Sequence, residues 1–184
     1  PRVKAAVGME TMDIGIEFLM AQDMETAYPL AQQLTDLNVE RRQVELKMKQ
    51  QALVELEKLQ LDQQHLPATL VMFDEHWHQG VIGIVAGRLK EQFHRPSIVF
   101  AADDDGIHIK GSARSIDGVH IRDAIEMIAE QHPHLVSHFG GHAAAAGLTL
   151  QKVHFEQFKQ AFEQLISTMD ESLFHATVWT DGEL

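Results

Sequence analysis

At 184 residues the chain suits one domain with an appendage or two small domains, and 45% apolar content is enough for a real core. It has no cysteine, which excludes disulfides, zinc–thiolate centres and a cysteine nucleophile and fits a reducing cytosol; no apolar run is long enough to span a bilayer, and "PRVKAAVGME" has no signal-peptide core. A net charge of −12 excludes a surface coated in basic residues, but leaves room for a local basic site, because binding depends on where charge sits.

Residues 1–22 read as a loop followed by a short helix, with Thr11 or Asp13 capping "IGIEFLMAQ". The chain starts without Met, as an excised segment would. Residues 23–64 contain no glycine and are predicted helical. Leu30, Leu34, Leu37, Val44, Met48, Leu56 and Leu59 recur at mostly helical spacing among Glu, Gln, Lys and Arg. From Leu30 to Leu61 this makes about 48 Å of helix, which Pro29 should start or kink near its beginning. Such a helix is either a connector between domains or a plain packing helix.

From Pro67 onward strands and helices alternate. "ATLVMF" is predicted as a strand and "GVIGIVAGRLKEQF" as a helix. "PSIVFAA" and "IHIKGSARS" are strands joined at "DDDG", which is turn chemistry. "HIRDAIEMIAEQ" is a helix, "AAGLTLQ" a strand and "FEQFKQAFEQLISTM" a helix of period 3.6. The tail "FHATVWTDGEL" reads as an opening strand.

Two stretches carry candidate chemistry. In "IHIKGSARS", strand alternation puts His108, Lys110, Ser112 and Arg114 on one face, with Ile107, Ile109, Gly111 and Ala113 turned into the core. Arg, Lys and a hydroxyl in a row suit a phosphate, but from this stretch alone an ordinary solvated strand face is the more economical explanation. In "HFGGHAAAAGLTL", Gly140 and Gly141 leave their N–H groups uncovered. Ahead of an alanine-rich helical turn they would form an anion site, with His142 adding a donor. A tight turn with alanines packed against a sheet explains the same residues.

The remaining polar clusters are less specific. His76 and His78 stand before the helix of residues 80–93 without an evident third metal ligand, so polar contact at the helix N-terminus is expected of them. His132, His134, His138 and His142 share no helical face, because glycines intervene. Asp103, Asp104 and Asp105 fit a hairpin turn better than a cation site. No nucleophile–base pair stands out.

Taken together, "FDEHWHQGVIGIVAGRLKEQFHRPSIVF", "IKGSARSIDGVHIRDAIEMI" and "HFGGHAAAAGLTL" closely resemble the RecJ family of bacterial single-strand-specific 5′-to-3′ exonucleases, within the DHH phosphoesterase superfamily. Three motifs in one order make the resemblance specific, and it spans the whole chain. It implies an α/β fold: a DHHA1-type mixed sheet flanked by helices, preceded by a long connector helix. Residues 1–22 would end the catalytic DHH domain, 23–64 form the interdomain helix, 67–170 the DHHA1 substrate-binding domain, and 171–184 the start of an OB-fold-like domain.

The resemblance also assigns roles. Ser112, Arg114, Gly140, Gly141 and His142 would hold nucleic-acid phosphates, with Lys110 and His78 as further phosphate contacts. No catalytic residue or metal ligand is expected in this chain. The two Mn²⁺ or Mg²⁺ ions of the family would be held by residues upstream of residue 1, and the chain alone would be inactive. Single-stranded DNA is the expected partner, with a single-strand-binding protein or helicase beside it, in cytoplasmic DNA repair and recombination. The start departs from the family pattern: Lys4 stands where Asn is usual, and Val7-Gly8 where Gly-Arg is usual. A DHH-type phosphodiesterase of short oligonucleotides or cyclic dinucleotides, and a non-catalytic nucleic-acid-binding module, are the alternative readings.

Overall fold

The computed structural model describes residues 13–58 and 66–175. Helix α1 (Asp13–Met20) packs Ile14 and Phe18 against Leu34 and Leu37 of helix α2 (Met24–Lys58). Asp23 caps α2: its carboxylate accepts the Thr26 N–H at 2.8 Å, and the same contact holds its pKa below the usual value. The helix therefore starts before Pro29, which lies inside its second turn instead of starting it. Thr11, residues 59–64 and the Lys4 and Val7-Gly8 departures lie outside the described residues.

Over 35 residues α2 is about 52 Å long. It carries two separate apolar contacts. Leu34 and Leu37 meet α1, while Met48 and Ala52 belong to a core with Trp77, Leu70 and Val99 in the following domain.

That domain contains a five-stranded mixed sheet. Its strands are β1 (Leu70–Asp74), β2 (Ser97–Ala102), β3 (His108–Arg114), β4 (His138–Gly141) and β5 (Ala145–Gln151), in spatial order β1-β2-β3-β5-β4. Only β1 and β2 are parallel. Helix α3 (Gln79–Phe93) links that pair and lies over β2 and β3 on one face, where the far end of α2 joins it in a core with Leu70 and Val99. Helices α4 (Ile121–Gln131) and α5 (Phe155–Ser167) cover the other face over Ile98, Phe100, Ile109, Ala113, Leu148 and Leu150. Phe158 is fully buried there between Phe100 and Phe162.

The β2–β3 connection is the expected hairpin. Asp103 and His108 close it by a backbone bond of 2.9 Å, and Gly106 adopts φ 69°. Ile107 is an exception to the expected alternation: it belongs to this turn, ahead of β3, and is 59% exposed instead of joining the core.

The chain after α5 forms a short 3₁₀ turn (Glu171–Phe174). Leu173 and Phe174 pack back on the same core, and Arg95 stacks on Phe174 while donating to its carbonyl at 2.7 Å. Phe174 is thus in a turn rather than a strand, and the rest of the expected tail strand, from residue 176, lies outside the described residues.

Candidate phosphate-binding shelf

The register across β3, β5 and β4 decides which side chains meet. Ser112 stands opposite Gly147, and Gly147 opposite Gly140; Lys110 stands opposite Thr149, and Thr149 opposite His138; Arg114 stands opposite Ala145. Directly opposed residues share a face. The face holding Ser112 and Arg114 is the one α3 covers at β2 and β3, and α3 stops short of β5 and β4. Gly140, Gly147 and His138 are exposed. The result is an open shelf whose floor lacks side chains at two positions and whose wall is Ser112 and Arg114. Two inter-strand spacings put Gly140 about 10 Å from Ser112. A hollow of about 680 Å³ lies elsewhere, along the free edge of β1, at the opposite side of the sheet from β4.

Strand alternation holds in β3: Ile109, Gly111 and Ala113 are buried, while Lys110 is exposed and Ser112 and Arg114 are partly so. Arg114 Nη1 donates to Ser112 Oγ at 3.0 Å and to the Ala113 carbonyl at 2.8 Å. Its guanidinium is half-buried and pairs with no carboxylate among the described residues; burial pushes its pKa below the usual value. A charge partly withdrawn from water without a counter-ion carries a cost that an incoming anion would offset.

Lys110 is placed differently. Its ammonium pairs with Asp103 in the β2–β3 turn at 2.9 Å, and this partner raises its pKa. It shares the face of Ser112 and Arg114, but its charge is already compensated. His78 caps α3, its Nδ1 accepting the Gly80 N–H at 3.0 Å, as the sequence suggests for a histidine ahead of a helix.

The glycine–alanine run corrects the sequence reading. No helical turn follows Gly141. His138–Gly141 is strand β4, residues 142–144 form a hairpin turn, and the last alanines open β5. The anion site of glycine N–H groups at a helix terminus is therefore not formed. The His142 N–H is spent on the Ala145 carbonyl at 2.8 Å. Ala143 and Ala144 are exposed rather than packed on the sheet; their carbonyls accept the N–H groups of Ile121 and Ser115, both at 3.0 Å, and anchor the hairpin to the start of α4.

The two glycines also differ. Gly141 has φ 146°, and a Cβ there would lie 2.4 Å from the Ala145 oxygen, so the turn itself requires glycine. A Cβ on Gly140 would meet nothing within 4 Å. Gly140 is open floor.

Sequence reasoning missed Gly147, Thr149 and His138 as members of this face, and Gly83 of α3 above it. A Cβ on Gly83 would lie 2.9 Å from both Arg114 Nη2 and Ser112 Oγ. No local pattern marks these residues; only the pairing of β5 between β3 and β4 brings them in. Among the described residues no three His, Asp or Glu side chains could share a metal ion, so the residues present do not fit the paired cations that the resemblance implies.

The DHHA1 domain family matches residues 66–168. The single-stranded-DNA-specific exonuclease RecJ of Haemophilus influenzae is 45% identical over 185 aligned residues, covering all of this chain and 32% of that protein. Its Escherichia coli namesake is 43% identical over the same shares. The crystal structure of RecJ in complex with Mn²⁺ from Thermus thermophilus superposes with a TM-score of 0.79 at 28% identity, over 92% of this chain and 24% of that one. The chain thus spans about a third of the length of the curated relatives it matches.

Proposed function

Because the chain belongs to the DHHA1 domain family, we propose that it is the connector and substrate-holding part of a single-strand-specific 5′-to-3′ DNA exonuclease. The observation that carries this reading is Arg114: a half-buried guanidinium with no carboxylate partner among the described residues, bonded to Ser112 beside the open floor of Gly147 and Gly140. Ser112 and Arg114 would grip one phosphate. The side-chain-free floor would let the sugar–phosphate chain lie close to the sheet, and His142 would meet the next stretch of backbone. Lys110 and His78 would add weaker phosphate contacts at the margins.

Bond cleavage would belong to a two-metal centre using Mn²⁺ or Mg²⁺, with ligands outside this chain; the shelf orients the strand. The complete protein would work in the cytoplasm in DNA repair and recombination, with a single-strand-binding protein or helicase supplying single strands.

The test uses the complete protein that carries this chain, with Mn²⁺ and end-labelled single-stranded DNA, duplex DNA and dinucleotides. Degradation of the single strand from its 5′ end, reduced roughly 10- to 150-fold in kcat/KM by Arg114→Ala, is the expected result, since one charge-assisted phosphate contact is lost. Arg114→Lys should recover only part, because lysine cannot reproduce a two-point contact. Unchanged degradation by Arg114→Ala removes this reading. Hydrolysis of dinucleotides alone would favour a small-substrate phosphodiesterase, and no metal-dependent hydrolysis a non-catalytic module.

A further inference from the structure

Helix α3 contains two interior glycines, Gly83 and Gly87, at positions where alanine is intrinsically the better helix former. They lie four residues apart, but their surroundings differ. A Cβ on Gly87 would meet nothing within 4 Å. A Cβ on Gly83 would stand 2.9 Å from Arg114 Nη2 and 2.9 Å from Ser112 Oγ, and 3.6 Å from Ser112 Cβ. Contacts that short are not tolerated, so one or both polar groups would have to move. Ser112 Oγ would relieve its contact by rotating, which alters its bond of 3.0 Å from Arg114 Nη1. Arg114 Nη2 is the far end of a flexible side chain, so the guanidinium would give way by shifting, which disturbs the Nη1 bonds to Ser112 Oγ and the Ala113 carbonyl.

We propose that Gly83 is a positioning residue for substrate: its missing side chain is the slot in which the Arg114–Ser112 pair is held ready for a phosphate. This rests on the phosphate-holding role given to Arg114 above. Gly83 itself touches no substrate in this scheme. A methyl group at residue 83 would leave the charge on the protein but shift its aim, and a phosphate site depends on placement as much as on charge.

The experiment compares four variants of the complete protein with the unaltered one: Gly83→Ala, Gly87→Ala, Arg114→Ala and the Gly83→Ala/Arg114→Ala double variant. Each is measured for melting temperature and for KM and kcat on single-stranded DNA. Gly87→Ala should keep or raise the melting temperature, whereas in Gly83→Ala the helix-propensity gain is offset by the disturbed Arg114 bonds, leaving the melting temperature within a few degrees. Gly83→Ala should raise KM about tenfold, as expected for partial loss of one charge-assisted contact, while Gly87→Ala leaves KM within about twofold. The double variant should match Arg114→Ala within about twofold, because Gly83 acts only through that side chain.

An unchanged KM for Gly83→Ala overturns the proposal. So does a further tenfold loss in the double variant, an equal loss with Gly87→Ala, or a fall in melting temperature with loss of kcat alone, which would mark ordinary packing. If Arg114→Ala has no effect while Gly83→Ala does, the phosphate reading has failed and the positioning role fails with it. If Arg114→Ala weakens binding and Gly83→Ala does not, only the positioning role fails.

Discussion

Gly140 and Gly141 are adjacent and chemically identical, yet replacing each by alanine should have opposite consequences. At residue 141 the backbone has φ 146°, and the new Cβ would lie 2.4 Å from the Ala145 oxygen and 2.5 Å from the Ala146 Cα. Both obstacles are backbone, so no side-chain rotation relieves the clash. The β4–β5 pair would have to part by about 1 Å, since ordinary contact begins near 3.4 Å. That separation breaks the 2.8 Å bond from the His142 N–H to the Ala145 carbonyl. Backbone strain of about 1–3 kcal/mol and a lost hydrogen bond of about 1 kcal/mol sum to roughly 2–4 kcal/mol. At residue 140 the Cβ would enter open space, so stability should stay within about 0.5 kcal/mol.

Urea unfolding of the chain, with amide exchange at residues 138–149, measures both. Gly141→Ala should lose stability and expose β4. Gly140→Ala should do neither, but should weaken single-stranded DNA binding by crowding the floor beside Ser112. Equal stability losses in the two variants, or none in Gly141→Ala, would refute this division of labour.

Other outcomes rest on the same geometry. Binding of single-stranded DNA should fall with salt, with a slope of about −0.7 per phosphate held, hence about −1.4 for two phosphates; salt-independent binding would contradict an Arg114-centred site. Asp105 accepts the His108 N–H, the His108 ring and the Ile107 N–H, and these bonds lower its pKa from 3.8 to about 2. Because the folded value is the lower one, the turn gains stability that is complete above about pH 4 and is lost as pH falls towards 2. An NMR titration placing the Asp105 carboxyl near 3.8 would remove that gain. Glu163 accepts from the Ala68 and Thr69 N–H groups and the Thr69 hydroxyl at 2.8, 2.9 and 2.5 Å, so Glu163→Ala should cost about 2–4 kcal/mol in urea unfolding, and a loss under about 1 kcal/mol would show that water replaces it.

Most of the elements are legible in the sequence because they are written in local periodicity. The alternation in "IHIKGSARS" is enough to turn Lys110, Ser112 and Arg114 to one face, and "DDDG" is enough to close the hairpin before them. The helix stripes place α3, α4 and α5 to within a residue or two. The family motifs, rather than any periodicity, pick out Arg114 and the glycine pair as a candidate site. The alanines after Gly141 suggest a helical turn that the fold does not contain. Four alanines favour a helix locally, whereas the ladder from residue 145 to 151 against β3 favours a strand, and the ladder is long-range.

Tertiary structure alone decided the rest. Placing β5 between β3 and β4 put Gly147 and Gly140 beside Ser112, residues separated by up to 35 positions in the chain. The β2–β3 hairpin itself pairs Lys110 with Asp103, whereas the packed fold leaves Arg114 without a carboxylate among the described residues. Packing assigned Gly83, Gly140 and Gly141 three different duties: a slot, an open floor and an obligatory turn. A glycine carries no side chain to declare its purpose, so its role is set by what approaches its backbone, and that is fixed only when distant segments pack.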